Sequence, residues 1–245
     1  VYEERSYRRI IGGAGLDSYS LVVKETDVQI MTEGVWLQQA RDIVLGLRRQ
    51  IELEIEENPE FYRSLEPVAV KNTAPAIVRI MAEAARLAEV GPMAAVAGAI
   101  SQMLGEALAV YSKEVVIENG GDLYVRCLHP LTIGIYAGKS PLSGCIGIRL
   151  KPEQMPAGVC TSSGTVGHSL SFGKSDAVTI LAESAALADA TATAVGNVVS
   201  TARDISRGLQ RAQEIPGAQG VLIIVGSSIG AWGEIELVET KGLPE

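Results

Sequence analysis

Aromatic residues supply only 4% of this 245-residue chain, so its core cannot be filled mainly by large rings. With 26 glycines present, close backbone approaches and small-residue helix packing are expected instead. Cysteine is scarce too: Cys127, Cys145 and Cys160 make an odd count without a C-x-x-C pair, which argues against a disulfide framework and suits a reducing compartment, the cytoplasm by default. Positive charge is in deficit, 21 Lys and Arg against 29 Asp and Glu, and the net charge of -8 opposes a polyanion-binding surface. Nucleic acid is therefore not an expected partner, and the short cluster Arg5, Arg8 and Arg9 reads as a solvated flank. No basic segment followed by an apolar core and a cleavage site opens the chain at Val1. Residues 91–110 carry one charge, Glu106, and have the length of a membrane span, but their Ala, Gly, Ser and Gln content reads as a buried helix with no membrane partner.

What is present is an ordinary folding chain. Its 47% hydrophobic and 20% charged residues exclude disorder, and its length buries a full core without disulfide or metal staples. Residues 6–11 and 18–32 alternate apolar and polar positions around Gly12-Gly13-Ala14-Gly15, which predicts a hairpin. Gly13-Ala14-Gly15 is no dinucleotide fingerprint, because Ser18 takes the third glycine position and a strand follows instead of a helix. Helical spacing of Leu37, Ala40, Ile43, Val44, Leu47 and Ile51 predicts a helix over 36–57, with Pro59 just beyond it. Residues 65–70 read as a connecting strand, and helices are expected from Pro75 to Val90 and from Pro92 to Tyr111. A hairpin of 115–117 and 123–125 through Asn119-Gly120 follows. Strands over 132–136, 145–150, 159–161 and 177–181, helices over 183–199 and 203–213, and strands over 221–225 and 234–238 complete a single α+β domain spanning 1–245.

The unusual chemistry is concentrated in residues 160–197. Thr161-Ser162-Ser163-Gly164-Thr165-Val166-Gly167-His168 offers four hydroxyls, two glycines that can expose backbone N–H groups, and an imidazole able to act as base. It lacks the Lys of a P-loop, and turn chemistry alone also accounts for its composition. Asp189 and Thr193 are four residues apart on an expected helix, so their hard oxygens share one face and could hold Mg²⁺; a Thr hydroxyl bonded to its own helix is the plainer explanation. Gly226-Ser227-Ser228-Ile229-Gly230 matches G-x-S-x-G, but no helix is expected next and both histidines precede Ser228, so it reads as a hairpin turn. Cys127 and His129 would share a strand face but lack a second ligand pair.

Taken in order, Asn119-Gly120-Gly121-Asp122, Thr161-Ser162-Ser163-Gly164 with His168, and Ala188-Asp189-Ala190-Thr191-Ala192-Thr193 resemble the ApbE family of flavin transferases, and most closely its compact, largely uncharacterised branch. The resemblance spans residues 75–200. It implies an α+β fold with a mixed sheet layered by helices, ApbE-like or T-fold-like, and a pocket for FAD or FMN. It also implies Mg²⁺ on Asp189 and Thr193, and pocket walls from Asn119, Gly120, Gly121, Asp122, Thr161, Ser162, Ser163 and Gly164. His168 would be the catalytic histidine, and a Thr of a partner protein would accept the FMN half of FAD. Three positions depart from the family pattern: Ser171 and Phe172 replace Asp and Pro after His168, and Ala97 replaces a Lys before Gly98. Three expectations therefore stand side by side. One is a Mg-assisted site for a phosphorylated ligand with FMN transfer; another is a catalytically degenerate ligand carrier or interaction partner, which could self-associate; the third is a persulfide carrier at Cys145 or Cys160.

Overall fold

The computed structural model describes residues 15–165 and 173–240. In chain order the elements are β1 (Asp17–Val23), β2 (Thr26–Thr32), α1 (Leu37–Glu57), α2 (Glu60–Arg63), α3 (Ala76–Ala88), α4 (Val96–Leu108), β3 (Val115–Asn119), β4 (Asp122–Arg126), β5 (Leu131–Gly134), β6 (Ile146–Leu150), β7 (Ala157–Ser162), β8 (Ala177–Ala182), α5 (Ala185–Val198), α6 (Ile205–Glu214), β9 (Ala218–Val225), β10 (Ser228–Gly233) and β11 (Glu236–Glu239). Eight strands form one sheet in the order β1-β2-β3-β4-β7-β8-β9-β10, and β11-β6-β5 form a second. Every pairing among the described residues is antiparallel, so the sheets are uniform rather than mixed in strand direction, and the layered α+β class holds.

Period-two alternation sorts the large sheet's side chains into two cores. Tyr124, Cys160, Val178, Ile180, Val221 and Ile223 pack against the helices. Leu123, Val125, Val159, Leu181, Leu222 and Ile224 pack against Leu131, Ile133, Ile148 and Leu150 of the small sheet. At the β1 end, Val28, Ile30, Val115 and Ile117 meet Val44 of α1 with Leu104 and Leu108 of α4. The molecule is thus three layers: helices, large sheet, small sheet.

Helix α5 sits at the centre of the helical layer, touching β7, β8, α3, α4 and α6. Its sequence AALADATATAVGNV is small and apolar almost all round, the signature of a helix buried on every side, and Ser184 caps it by accepting from the Leu187 N–H at 3.3 Å. Glycines let its neighbours close in. A Cβ at Gly158 of β7 would overlap the Ala185 backbone, 2.6 Å from its nitrogen, and one at Gly98 of α4 would lie 2.8 Å from the Asp189 Cβ. The small-residue packing expected from the composition is what brings α4, β7 and α5 together.

Several boundaries differ from the sequence reading. Residues 18–32 are themselves a hairpin, β1 turning into β2 at Lys24, whose φ of 52° lies in the left-handed region. The expected strand over 6–11 lies outside the described residues. Residues 65–70 form no strand, because they pair with nothing in either sheet. The run 91–110 is a short 3-10 turn, Pro92–Ala95, leading into α4. No single helix among the described residues is long and apolar enough to cross a membrane; Ala76–Ala88 and Pro92–Leu108 pass such a test only as a pair bent by 105°.

Two glycine substitutions separate close packing from chain freedom. Gly158→Val should destabilise the fold by about 1–3 kcal/mol or more, because the Ala185 backbone cannot yield to it. Gly46→Ala, in α1 with nothing within 4 Å of the added methyl, should stabilise it by roughly 0.5–1 kcal/mol. Urea unfolding of both variants beside the wild type checks the opposite signs.

Candidate functional site

The turn between β3 and β4 is Gly120-Gly121, with φ of 71° and 106°, values that only glycine adopts without strain. This hairpin places Asn119 opposite Asp122, and the next pairing places Asp122 opposite Cys160 on β7. Alternation then sends Asn119, Asp122 and Cys160 toward the helices. The Asn119 Nδ2 donates to the Ala97 carbonyl at 3.3 Å, and the Cys160 thiol donates to the Ala185 carbonyl at 3.2 Å.

Asp189 meets this group from above. Its Oδ2 accepts the Gly98 N–H at 2.9 Å, so one carboxylate oxygen sits on the first turn of α4. Burial pushes its carboxyl up to about 7, with the Gly98 and Ala97 N–H groups holding it partly back. Asp122 is held well above the usual carboxylate range, first by burial and then by the charges of Asp189 and Glu118, while the Cys160 thiol and Thr161 N–H oppose the shift. Among the described residues no Lys, Arg or His forms a hydrogen bond or ion pair with either carboxylate. Buried Asp122 and half-buried Asp189 therefore disfavour each other's ionisation, and among the described residues no cationic side chain is bonded to either.

Sequence reasoning missed two supports of this centre. Ser101 is fully buried, and its hydroxyl spans the Ala97 carbonyl at 2.8 Å and the Asp122 carbonyl at 2.9 Å, tying α4 to β4. Its only signal was a Ser four residues after Ala97 in the small and apolar first turns of α4. Glu118 is 1% exposed and accepts the Gly121 N–H at 2.7 Å, closing the glycine turn from beneath; an acid next to an Asn-Gly pair was the readable cue.

The hydroxyl loop is only partly gathered here. Thr161 lies on the other face of β7, bonded to the Thr179 hydroxyl at 2.9 Å, although its N–H reaches the Gly121 carbonyl at 3.1 Å. Ser162, two residues on from Cys160, shares the helix-facing side. The Ser163 hydroxyl accepts the Thr165 N–H at 3.1 Å, and Gly164 donates to the Ser175 carbonyl at 2.9 Å, which fixes the loop to the strand that follows. Asp176 extends the same anchor, taking the Thr165 hydroxyl at 3.2 Å and the Gly226 N–H at 2.7 Å. Thr193 is half-buried one turn along α5 from Asp189. His168, Ser171 and Phe172 lie outside the described residues. A separate groove of about 460 Å³, lined by Ala76, Ile80, Gln102, Ser184 and Leu187 among others, shares no residue with the carboxylate centre.

The donor set fits Mg²⁺ in kind. Asp189, Asp122 and Thr193 present hard oxygens, and Mg²⁺ commonly takes one or two carboxylates while keeping water and phosphate oxygens as its other ligands. Among the described residues no three His, Cys, Asp or Glu side chains converge on one point, so an all-protein cage is absent there. The other chemical candidates divide: Cys145 is an exposed free thiol and stays open, whereas the rest lose support. Cys160 is fully buried and its thiol is pushed well up, first by burial and then by Asp122 and Asp189, while burial raises Cys127 to about 12. His129 is exposed and Cys127 buried, both beyond the end of β4, so they share no strand face. Gly226-Ser227 is a hairpin turn from β9 to β10, with no helix after Ser228.

This α+β arrangement is the fold of flavin transferases of the ApbE type. The flavin transferase ApbE from Vibrio cholerae matches with a TM-score of 0.59 at 12% identity, covering 91% of this chain and 98% of its own. The ApbE protein from Thermotoga maritima matches at 0.58 and 15% identity, covering 88% and 96%. The family described as AbpE bacteria matches residues 8–224, and the chain belongs to it. A UPF0280 protein of Methanocaldococcus jannaschii is 45% identical over 228 residues, 90% of this chain and 92% of that one. A UPF0280 protein of Methanothermobacter thermautotrophicus is also 45% identical, over 88% of this chain and 85% of its own length.

The carboxylate pair makes a pH prediction. A carboxyl whose folded pKa is raised binds protons more tightly in the folded state, so its protonated form adds stability below that pKa, and stability is lost as pH climbs from near 4 toward and past 7. Metal-free wild type should melt lower at pH 8 than at pH 5.5. Asp189→Asn should flatten that slope and gain on the order of 1 kcal/mol at pH 8. Thermal melts across pH in the presence of a chelator check the sign.

Proposed function

We propose that this chain binds FAD or a related phosphorylated ligand beside the Asp189 and Thr193 face of α5, with Mg²⁺ as the counter-charge, and passes the FMN half to a Thr of an acceptor protein. The observation carrying this reading is the pair of carboxylates formed by buried Asp122 and half-buried Asp189, with no described cationic side chain bonded to either. A divalent cation would relieve their repulsion, and an anionic ligand would complete its ligand sphere. The shared fold with a flavin transferase supports the choice of ligand.

In this reading Asp189 and Thr193 hold the metal, and Asp122 stands behind them. Mg²⁺ would supply neutralisation of the negative charge that develops on a pyrophosphate. The chain's own residues do the rest. Gly120 and Gly121 allow close approach of a ligand to the β3–β4 turn, Ser162 and Ser163 offer hydroxyl donors for phosphate oxygens, and Gly164 completes the wall. Transfer forms a phosphoester bond to the acceptor Thr oxygen, breaks the pyrophosphate bond and releases AMP. The Thr proton would pass to His168 or to water.

Ala97 supports a second reading, a ligand carrier without transfer. It places a methyl group where related transferases carry a Lys, and its carbonyl is occupied by Ser101 and Asn119. Titration of the chelated protein with FAD, with and without Mg²⁺, should show at least tenfold tighter binding with metal, and that gain should vanish in Asp189→Ala. Equal binding in both conditions would remove the metal-assisted reading. Tight binding without covalent yellow product on a Thr-bearing acceptor would leave the carrier reading.

A further inference from the structure

Helix α4 turns a row of small residues, Gly98, Ser101 and Gly105, toward β4 and α5. A Cβ at Gly98 would press on the Ala185 backbone and one at Gly105 on the Tyr124 ring, so packing along this row asks only for small size. Alanine would meet that demand at position 101 and is the better helix former. Serine brings instead a hydroxyl that is fully buried and has to be satisfied.

One of its two acceptors is an ordinary one. The Ser101 hydroxyl lies 2.8 Å from the Ala97 carbonyl, one turn back in the same helix, as helical serines commonly do. The second acceptor belongs to another element: the Asp122 carbonyl of β4, at 2.9 Å. The same turn of α4 holds the other residues of the centre. The Ala97 carbonyl also accepts Asn119 Nδ2 at 3.3 Å, and the Gly98 N–H donates to Asp189 Oδ2 at 2.9 Å. Gly98 and Ser101 are three positions apart, so they share a face of α4 with a rise of about 4.5 Å between them. Asp189 of α5 and Asp122 of β4 are thus placed relative to each other through a single helical turn.

Resting on the metal-assisted reading of this site, we infer that Ser101 is a positioning residue: its hydroxyl fixes where Asp122 stands relative to Asp189, and so how tightly and in what geometry a divalent cation is held. Mg²⁺ demands near-ideal octahedral geometry with ligands at about 2.0–2.1 Å, which makes it sensitive to how the groups around it are set. Hydrogen-bonding partners behind a metal's direct ligands are worth roughly 10–100-fold in affinity. Removing the Ser101 hydroxyl leaves both acids in the chain and takes away only the strut from α4 to Asp122.

Mn²⁺ binding followed by electron paramagnetic resonance, with Mg²⁺ as competitor, tests this on the chelator-treated full chain. Wild type should bind Mn²⁺ saturably and release it to Mg²⁺. Ser101→Ala should bind about tenfold more weakly or worse, and its bound ion, recorded at saturation, should give a spectrum different from that of wild type. Leu104→Val, on the same helix but in the cluster with Val115 and Ile117, should lower the melting temperature while keeping wild-type affinity and spectrum. That control separates positioning from a general loosening of α4, because a spectrum taken at saturation does not register lost stability. Ser101→Ala matching wild type in affinity and spectrum, or Leu104→Val altering both as Ser101→Ala does, would overturn the role of Ser101 and leave the metal site standing. A wild type that binds no Mn²⁺ would overturn the metal-assisted reading itself, and this role with it.

Discussion

The structure turns on how closely α4 and α5 approach. Gly98 has no side chain to hold the helices apart, and at that distance its N–H reaches the Asp189 carboxylate at 2.9 Å. Any larger residue would push into the Ala185 backbone and the Asp189 Cβ. This one contact fixes where an acid stands inside an otherwise alanine-lined helix packing, and Ser101 then locks α4 to the backbone of Asp122. The charge pattern of the site is therefore a consequence of the packing, not an addition to it.

Setting buried Asp122 beside half-buried Asp189 would be a poor use of stability in a purely structural core. Each desolvated acid disfavours its charged form, and each raises the cost of ionising the other. A core designed only for stability would carry Asn or an apolar residue at one of these places, with hydrogen bonds satisfied and no repulsion. Two acids around Cys160, with Glu118 beneath the same turn, are the feature on which the proposed metal-assisted reading rests.

Much of the fold was legible because local rules and tertiary needs agreed. The Asn119-Gly120 hairpin, the amphipathic α1 and the all-round small α5 each announce one conformation, and the structure has them. Residues 18–32 were misread as one strand because alternation continues through Lys24 and Glu25, and a turn that uses a left-handed Lys instead of Gly leaves no compositional mark. The register that sets Asp122 opposite Cys160 was invisible for a different reason. Thirty-eight positions separate the two residues, and nothing local reports which strands become neighbours.

The same distinction sorts the site residues. Asn119 and Asp122 could be placed together because a tight turn binds them in sequence, while Asp189 and Thr193 follow from helical spacing. Thr161 belonged to the right loop, yet its hydroxyl faces Thr179 across the sheet, since strand parity assigns alternate residues to opposite layers. A motif names residues that lie near one another along the chain; parity and register decide which of them share a space. In this molecule those two constraints select Asn119, Asp122 and Asp189 as the centre and leave Thr161 as part of its scaffold.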